Sequence, residues 1–229
     1  MNFGHPSAVD SPNELMGRIY DNTWGRMFSA LYDRAFEASE EAGLREMRAG
    51  LLKGARGRVL ELGSGTGLNL ELYPREGLDC LTLTEPDPHM FKQLKRRAEE
   101  IGCAADLVET GAEDLPFDDD SYDTVVVTLV LCTVPDQPAA LREISRVLAP
   151  GGQLLFLEHV RSNHPDLAKW QDRLEKPWQF LGDGCHCNRD TEAGLRAAGF
   201  ELSGLEHPEL PKAPPIVQPM AKGIAKVAP

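Results

Sequence analysis

The stretch Val59-Leu60-Glu61-Leu62-Gly63-Ser64-Gly65-Thr66-Gly67-Leu68-Asn69 decides the architecture. Arg58 to Gly63 reads as a buried strand, and three glycines at a spacing of two follow it at once. Glycine reaches positive φ and lets the backbone approach a ligand closely. A short helix is predicted behind the loop. Its first N–H groups have no intrahelical acceptor, so they suit a carboxylate. Glu61, just inside the strand, is read as ordering the loop by accepting backbone N–H bonds. A dinucleotide site would need a third glycine in the pattern G-x-G-x-x-G. Counted from Gly63 that position is Leu68, whose side chain would obstruct helix–strand packing and crowd a pyrophosphate.

Strands and helices alternate onward from this loop. Strands are predicted at Cys80–Glu85, Ala105–Thr110, Tyr122–Cys132 and Gln153–Val160, that at Tyr122–Cys132 so rich in β-branched residues that it should be buried on both faces. Pro86 and Pro88 open a helix to about Gly102, since a proline near a helix start gives up an N–H that would be unpaired there. Gln137 to Leu148 is an amphipathic helix stopped by Pro150-Gly151-Gly152. A further helix covers Asp166 to Phe180, with Leu167, Trp170, Leu174 and Trp178 on one face. These tryptophans and Phe180 are expected to pack, or to line a pocket for an apolar or aromatic ligand. Asn188 or Asp190 caps a helix ending near Gly199. Phe200–Glu206 and Gly223–Ala228 are the last two strands. Seven strands with intervening helices imply an α/β, mostly parallel sheet, which binds ligands at the carboxyl ends of its strands.

Two helices precede the sheet. Trp24, Met27, Phe28, Leu31, Tyr32, Ala35 and Phe36 form an aromatic stripe at helical spacing. That stripe is read as packing on the domain, as a lid over an apolar acceptor, or as a peripheral membrane contact. A second helix spans Ala38 to Leu52, closed by Gly54. Residues 1–54 are thus a tail and cover, with a loose tail before about Asn13, and 55–229 the binding domain.

Hydrophobic residues make up 41% and charged residues 26% of the 229, a globular composition. The net charge of -12 disfavours a nucleic-acid partner. The polar start has no apolar signal segment, no stretch is apolar enough to cross a bilayer, and the five cysteines are odd in number. A reduced, cytoplasmic protein is expected. Nothing in the sequence sets an oligomeric state.

Three segments after the loop suit a nucleoside. Glu85 ends the second strand about twenty residues on, where a carboxylate accepts hydrogen bonds from ribose hydroxyls. In Gly111-Ala-Glu-Asp-Leu-Pro-Phe117, Ala112 and Glu113 would flank a base edge with Leu115 packing nearby.

Together with residues 118–134 and 142–160, these segments resemble the class I S-adenosylmethionine-dependent methyltransferases. The resemblance implies a Rossmann-like fold, S-adenosylmethionine as cofactor, and transfer of its methyl group to a small-molecule acceptor. It implies cofactor contacts from Gly63, Ser64, Gly65, Thr66, Gly67, Asn69, Glu85, Pro86, Ala112, Glu113 and Thr128. Leu129 and Cys132 would face the methionine end or the acceptor. TLVLCTVPD, LREISRVLAPGG, EHV and DGCHCNRDT in that order resemble the mammalian thiol S-methyltransferases. The chain is also similar to bacterial phosphatidylethanolamine N-methyltransferases and quinone-biosynthesis C-methyltransferases. A thiol acceptor is favoured, and a cofactor-binding module without catalysis is the non-enzyme alternative.

A thiol reacts as its thiolate and an amine only when neutral, so a base near neutral pH would help. His159, at the end of the fifth strand, and His186 are the candidates, with Asp183 orienting a base or binding a cationic acceptor. Cys185-His186-Cys187 lacks a second ligand pair at zinc spacing, and His159, His164 and His207 supply no such pattern, so no metal is expected.

Overall fold

The computed structural model describes residues 26–227; the side chains of 26–31 and 35 lie outside that description. The loose tail and Trp24 of the aromatic stripe therefore fall outside the described residues, as does Ala228.

Seven strands form one sheet in the order β3-β2-β1-β4-β5-β7-β6, built from β1 (Gly57–Leu62), β2 (Leu78–Thr84), β3 (Asp106–Val108), β4 (Tyr122–Thr128), β5 (Leu148–His159), β6 (Phe200–Glu206) and β7 (Met220–Val227). β1 pairs in parallel with β2 and β4, as β4 does with β5, whereas β7 runs antiparallel to both β5 and β6. Strand order reverses between β1 and β4, so ligand space opens above their carboxyl ends.

Alternate residues of each central strand feed opposite faces. Leu60, Val125, Val127, Leu154 and Phe156 pack with α4 (Gln137–Val147) and α6 (Thr191–Ala197) through Leu141, Ile144 and Leu195. Val59, Leu83, Val126, Leu155 and Leu157 pack with α2 (Arg45–Leu52) and α3 (Pro88–Ile101) through Leu52, Phe91 and Leu94. The hydrophobic run of β4 is thereby explained: both of its faces are covered.

Asp87 caps α3 by accepting from the His89 and Met90 N–H groups, Asp136 caps α4 through Ala139, and Asp190 caps α6 through Ala193.

Four expectations are corrected. The helix expected behind the glycine loop is a single 3-10 turn, Leu70–Leu72. The two N-terminal helices are present, but the break between them falls at Gly43 (φ 134°) and not before Ala38: α1 (Arg26–Ser39) runs on into Glu40–Leu44, and α2 follows the kink. The strand expected to reach Cys132 ends at Thr128, because Leu129 turns to φ 62°. The expected apolar seat of α5 (Pro165–Leu181) is replaced by a polar one. Gln171 is fully buried, and its amide nitrogen donates to the carbonyls of Val160, Cys187 and Ile216 while its oxygen accepts from Ser162 N–H. Satisfying those loop carbonyls fixes which face of α5 points inward, and it leaves Trp170 and Phe180 more than half exposed.

Candidate active site

The glycine loop is shaped by packing and by its neighbours. Gly63 and Gly67 have positive φ, and a Cβ at either would lie within 3 Å of a side-chain carbon, Val130 for the first and Leu70 or Leu94 for the second. Ser64 N–H donates to the Thr84 carbonyl and Gly67 N–H to the Ser64 carbonyl. Glu61 does not order the loop through backbone N–H groups, as the sequence suggested. Its buried carboxylate accepts from Asn69 Nδ2 at 3.0 Å and from the Tyr73 hydroxyl. Burial raises the Glu61 pKa, and those two hydrogen bonds pull it back. Asn69 Nδ2 also donates to Thr128 Oγ1 at 3.0 Å, tying the loop to the end of β4.

A cleft lies between this loop and the N-terminal helices. Gly63, Ser64, Gly65, Thr66, Leu68, Asn69, Thr128 and Leu129 line it from below, and Tyr32, Phe36, Glu40 and Arg48 from above. Asp33 of α1 fastens the two sides, accepting from Thr66 Oγ1 and pairing with Arg97 of α3 at 2.6 Å. Glu40 and Arg48 form a buried ion pair. Among the described residues, Glu40 Oε1, Arg48 Nε, Ser64 Oγ and Asn69 Oδ1 are buried without a hydrogen-bond partner. All four belong to residues lining the cleft. A buried polar atom without a partner costs about 1–3 kcal/mol, so a polar ligand with both donors and acceptors is what this cleft suits. Arg48 and Glu40 escaped the sequence reading because an Arg and a Glu on amphipathic helices look like solvated side chains until tertiary packing buries them.

Glu85 holds the loop from outside the lining of the cleft. Its Oε2 accepts from Gly65 N–H at 2.8 Å and its Oε1 from Asp87 N–H at 2.9 Å. A carboxylate offers about four lone-pair sites, so each oxygen keeps capacity for a ligand hydroxyl. Burial pushes the Glu85 pKa up to about 7, against the pull of those two N–H groups. Pro86 is exposed, Ala112 is packed in the core, and Glu113 accepts weakly from Asp136 N–H at 3.4 Å. These three stand outside the lining of the cleft, as does Cys132.

Beyond Leu129 the chain turns through Val130–Val134, held from both sides. The fully buried Glu158 accepts from Val130 N–H at 2.9 Å and Cys132 N–H at 3.1 Å, while Arg189 donates to the Leu131 and Val134 carbonyls at 2.7 and 2.8 Å. Burial raises the Glu158 pKa and lowers that of Arg189. Neither residue was singled out from the sequence, where Glu158 reads as one strand carboxylate among many.

The turn places Cys132 against His159 and Cys185. His159 Nδ1 is 3.9 Å from Cys132 Sγ and 3.5 Å from Cys185 Sγ, and its Nε2 has no partner among the described residues. His186 is partnered by Glu175 at 3.0 Å on Nδ1 and by Gln179 at 3.1 Å on Nε2. Asp183 adopts φ 49° and carries its charge near enough to Glu85 to raise that residue's pKa.

A switch-point cleft roofed by helices, with an acidic residue directly after β2, defines the general class. The family model for a methyltransferase domain matches residues 60–156. The human thiol S-methyltransferase TMT1B is 40% identical over 162 residues, 68% of this chain and 65% of that one. The human thiol S-methyltransferase TMT1A is 36% identical over 172 residues, 73% of this chain and 69% of the relative. The matched stretch thus spans about two thirds of these relatives. A crystal structure from Thermotoga maritima, a SAM-dependent methyltransferase described as a possible histamine N-methyltransferase, superposes with a TM-score of 0.66. It covers 92% of this chain and 99% of its own at 20% identity, and so speaks for the fold. The chain belongs to the S-adenosylmethionine-dependent methyltransferases.

Proposed function

We propose that this protein binds S-adenosylmethionine in the cleft under α1 and α2 and transfers its methyl group to a small thiol. The observation that carries the reading is the ring of four unpartnered polar atoms around the glycine loop. They fit the amino-acid end of the cofactor: Arg48 Nε and Ser64 Oγ as donors to its carboxylate, Glu40 Oε1 and Asn69 Oδ1 as acceptors for its ammonium. Glu85 accepts the ribose hydroxyls with its spare lone pairs. Gly65, beside which a Cβ would find only Met90 Sδ at 3.9 Å, leaves room for the ligand against the backbone. Ala112, Glu113 and Pro86 are assigned to the adenine side.

Bound S-adenosylmethionine supplies a methyl group on a sulfonium, open to in-line displacement. The chain's own work is to orient the reactants and keep water out. Tyr32 and Phe36 cover the cleft, and burial raises the Tyr32 pKa, which keeps its phenol protonated. His159, at the carboxyl end of β5, stands at the acceptor end with its free Nε2; Asp183 is assigned to orienting a base or to a cationic acceptor, and His186 is held through Glu175. The thiol preference rests on the likeness to the two human relatives. Five unpaired cysteines suit a reducing compartment such as the cytoplasm.

The test is incubation of the purified protein with methyl-labelled S-adenosylmethionine and a panel of alkyl and aryl thiols, with Glu85→Ala as the blank. Label in a thioether, absent from the blank, is the expected result. Label moving instead to an amine or an ethanolamine phospholipid would replace the acceptor, and failure of the pure protein to bind the cofactor would overturn the reading.

A further inference from the structure

Cys132, His159 and Cys185 come from three separate segments and converge at the carboxyl ends of β4 and β5. Their Sγ, Nδ1 and Sγ atoms all lie within 4.8 Å of one another. The sulfurs are 3.9 Å apart, and Nδ1 is 3.5 Å from one and 3.9 Å from the other. Tetrahedral zinc, with bonds of about 2.3 Å to sulfur and about 2.0 Å to nitrogen, would set such sulfurs about 3.8 Å apart and each about 3.6 Å from the nitrogen. The three side chains are buried, and the Cys132 turn is fixed by Glu158 and Arg189, so the donors stand at ligand separations on a rigid support.

The trio also adjoins the cleft. Cys132 follows the cleft-lining Leu129 by three residues, and its sulfur is close enough to Tyr32 for a charge there to act on the phenol. Among the described residues no fourth His, Cys, Asp or Glu joins the group. Three protein ligands with one position left over is the arrangement of catalytic zinc, whereas structural zinc has four.

The geometry points to a zinc-class metal site on Cys132, His159 and Cys185 whose remaining coordination position takes the acceptor thiol. This deepens the thiol reading above and rests on it. On assembly each cysteine thiol and the acceptor thiol release one proton to solvent, and His159 binds as neutral imidazole. The acceptor sulfur then gives the electron pair for the new S–CH3 bond. The old sulfonium–methyl bond breaks with its electrons remaining on the cofactor sulfur. The neutral thioether is the poorer ligand and leaves.

The experiment titrates reduced, chelator-stripped full-length protein with Co2+ as the spectroscopic substitute for zinc, first alone and then with ethanethiol, in the absence of cofactor. One cobalt per chain with a thiolate charge-transfer band is expected, displaced by zinc and shifted by ethanethiol. Cys132→Ser and Cys185→Ser lose the band. Cys187→Ser keeps it, since that sulfur contacts the Gln171 carbonyl instead. Cofactor affinity of each variant, read by calorimetry, shows that it is folded and tests the methyltransferase reading separately; if one serine variant fails to fold, His159→Gln replaces it. No cobalt uptake, or a band that survives Cys132→Ser or Cys185→Ser in folded protein, overturns the site. A band unmoved by ethanethiol overturns the acceptor's place on it.

Discussion

At the scale of the residue, Glu85 couples the site to pH. Its folded pKa of about 7 lies above the usual carboxylate value because burial disfavours the charge. Ribose hydroxyls donate to the ionised form, so cofactor binding favours loss of the proton. Affinity is expected to fall as pH drops through 7, approaching tenfold per unit below it, since one proton must then be released on binding. Glu85→Gln should bind more weakly at pH 8 and lose that slope; isothermal titration between pH 6 and 8 checks both. The sign for folding is the reverse. A raised carboxylate pKa contributes stability that is fully present below the unfolded value and is lost as pH rises through 7, so the ligand-free protein is strained at this residue in the same range where the cofactor binds best. Gly67 gives a second, purely steric prediction. Its φ of 86° and the approach of Leu70 and Leu94 within 3 Å of a new Cβ leave no room. Gly67→Ala should lose about 1–3 kcal/mol, and Gly65→Ala less because its surroundings are open; thermal unfolding without cofactor ranks the two.

At the scale of the element, α1 is a cover over the cleft, which Tyr32 and Phe36 help to line. Asp33 joins it to both the glycine loop and α3. The Arg97–Asp33 pair is partly solvent-exposed, which limits its worth to stability to about 1 kcal/mol or less. Asp33→Ala should therefore leave the melting temperature nearly unchanged yet speed cofactor dissociation, measurable by stopped-flow release. The turn after β4 behaves oppositely. Glu158 is buried and satisfies Val130 and Cys132 N–H, so Glu158→Ala strands two buried donors and should cost about 2–6 kcal/mol at roughly 1–3 per group, seen as a lower urea midpoint.

At the scale of the whole molecule, the sheet carries stability and the cleft can add to it. S-adenosylmethionine at a hundredfold its Kd should stabilise the fold by about 2.7 kcal/mol, a rise in Tm of roughly 5–10 °C for a chain this size. Glu85→Ala should abolish the shift at the same concentration. No helix among the described residues is long and apolar enough to cross a membrane.

The sequence alone determined the sheet and the loop. Both depend on local signals: β-branched runs, proline and aspartate at helix starts, and three glycines directly after a strand. That is why most of the strands and the cap at Asp190 were legible near their observed bounds, and why β4 overran at Leu129, whose positive φ no residue type announces. Packing alone decided the rest. The polar seat of α5 on Gln171, the burial of Arg48 with Glu40, and the Glu158 support became visible only once distant segments were folded together. The Cys132–His159–Cys185 cluster shows the reason most plainly. Its members are 27 and 26 residues apart along the chain, and strand ends far apart in sequence become neighbours only when a parallel sheet sets its carboxyl edges side by side.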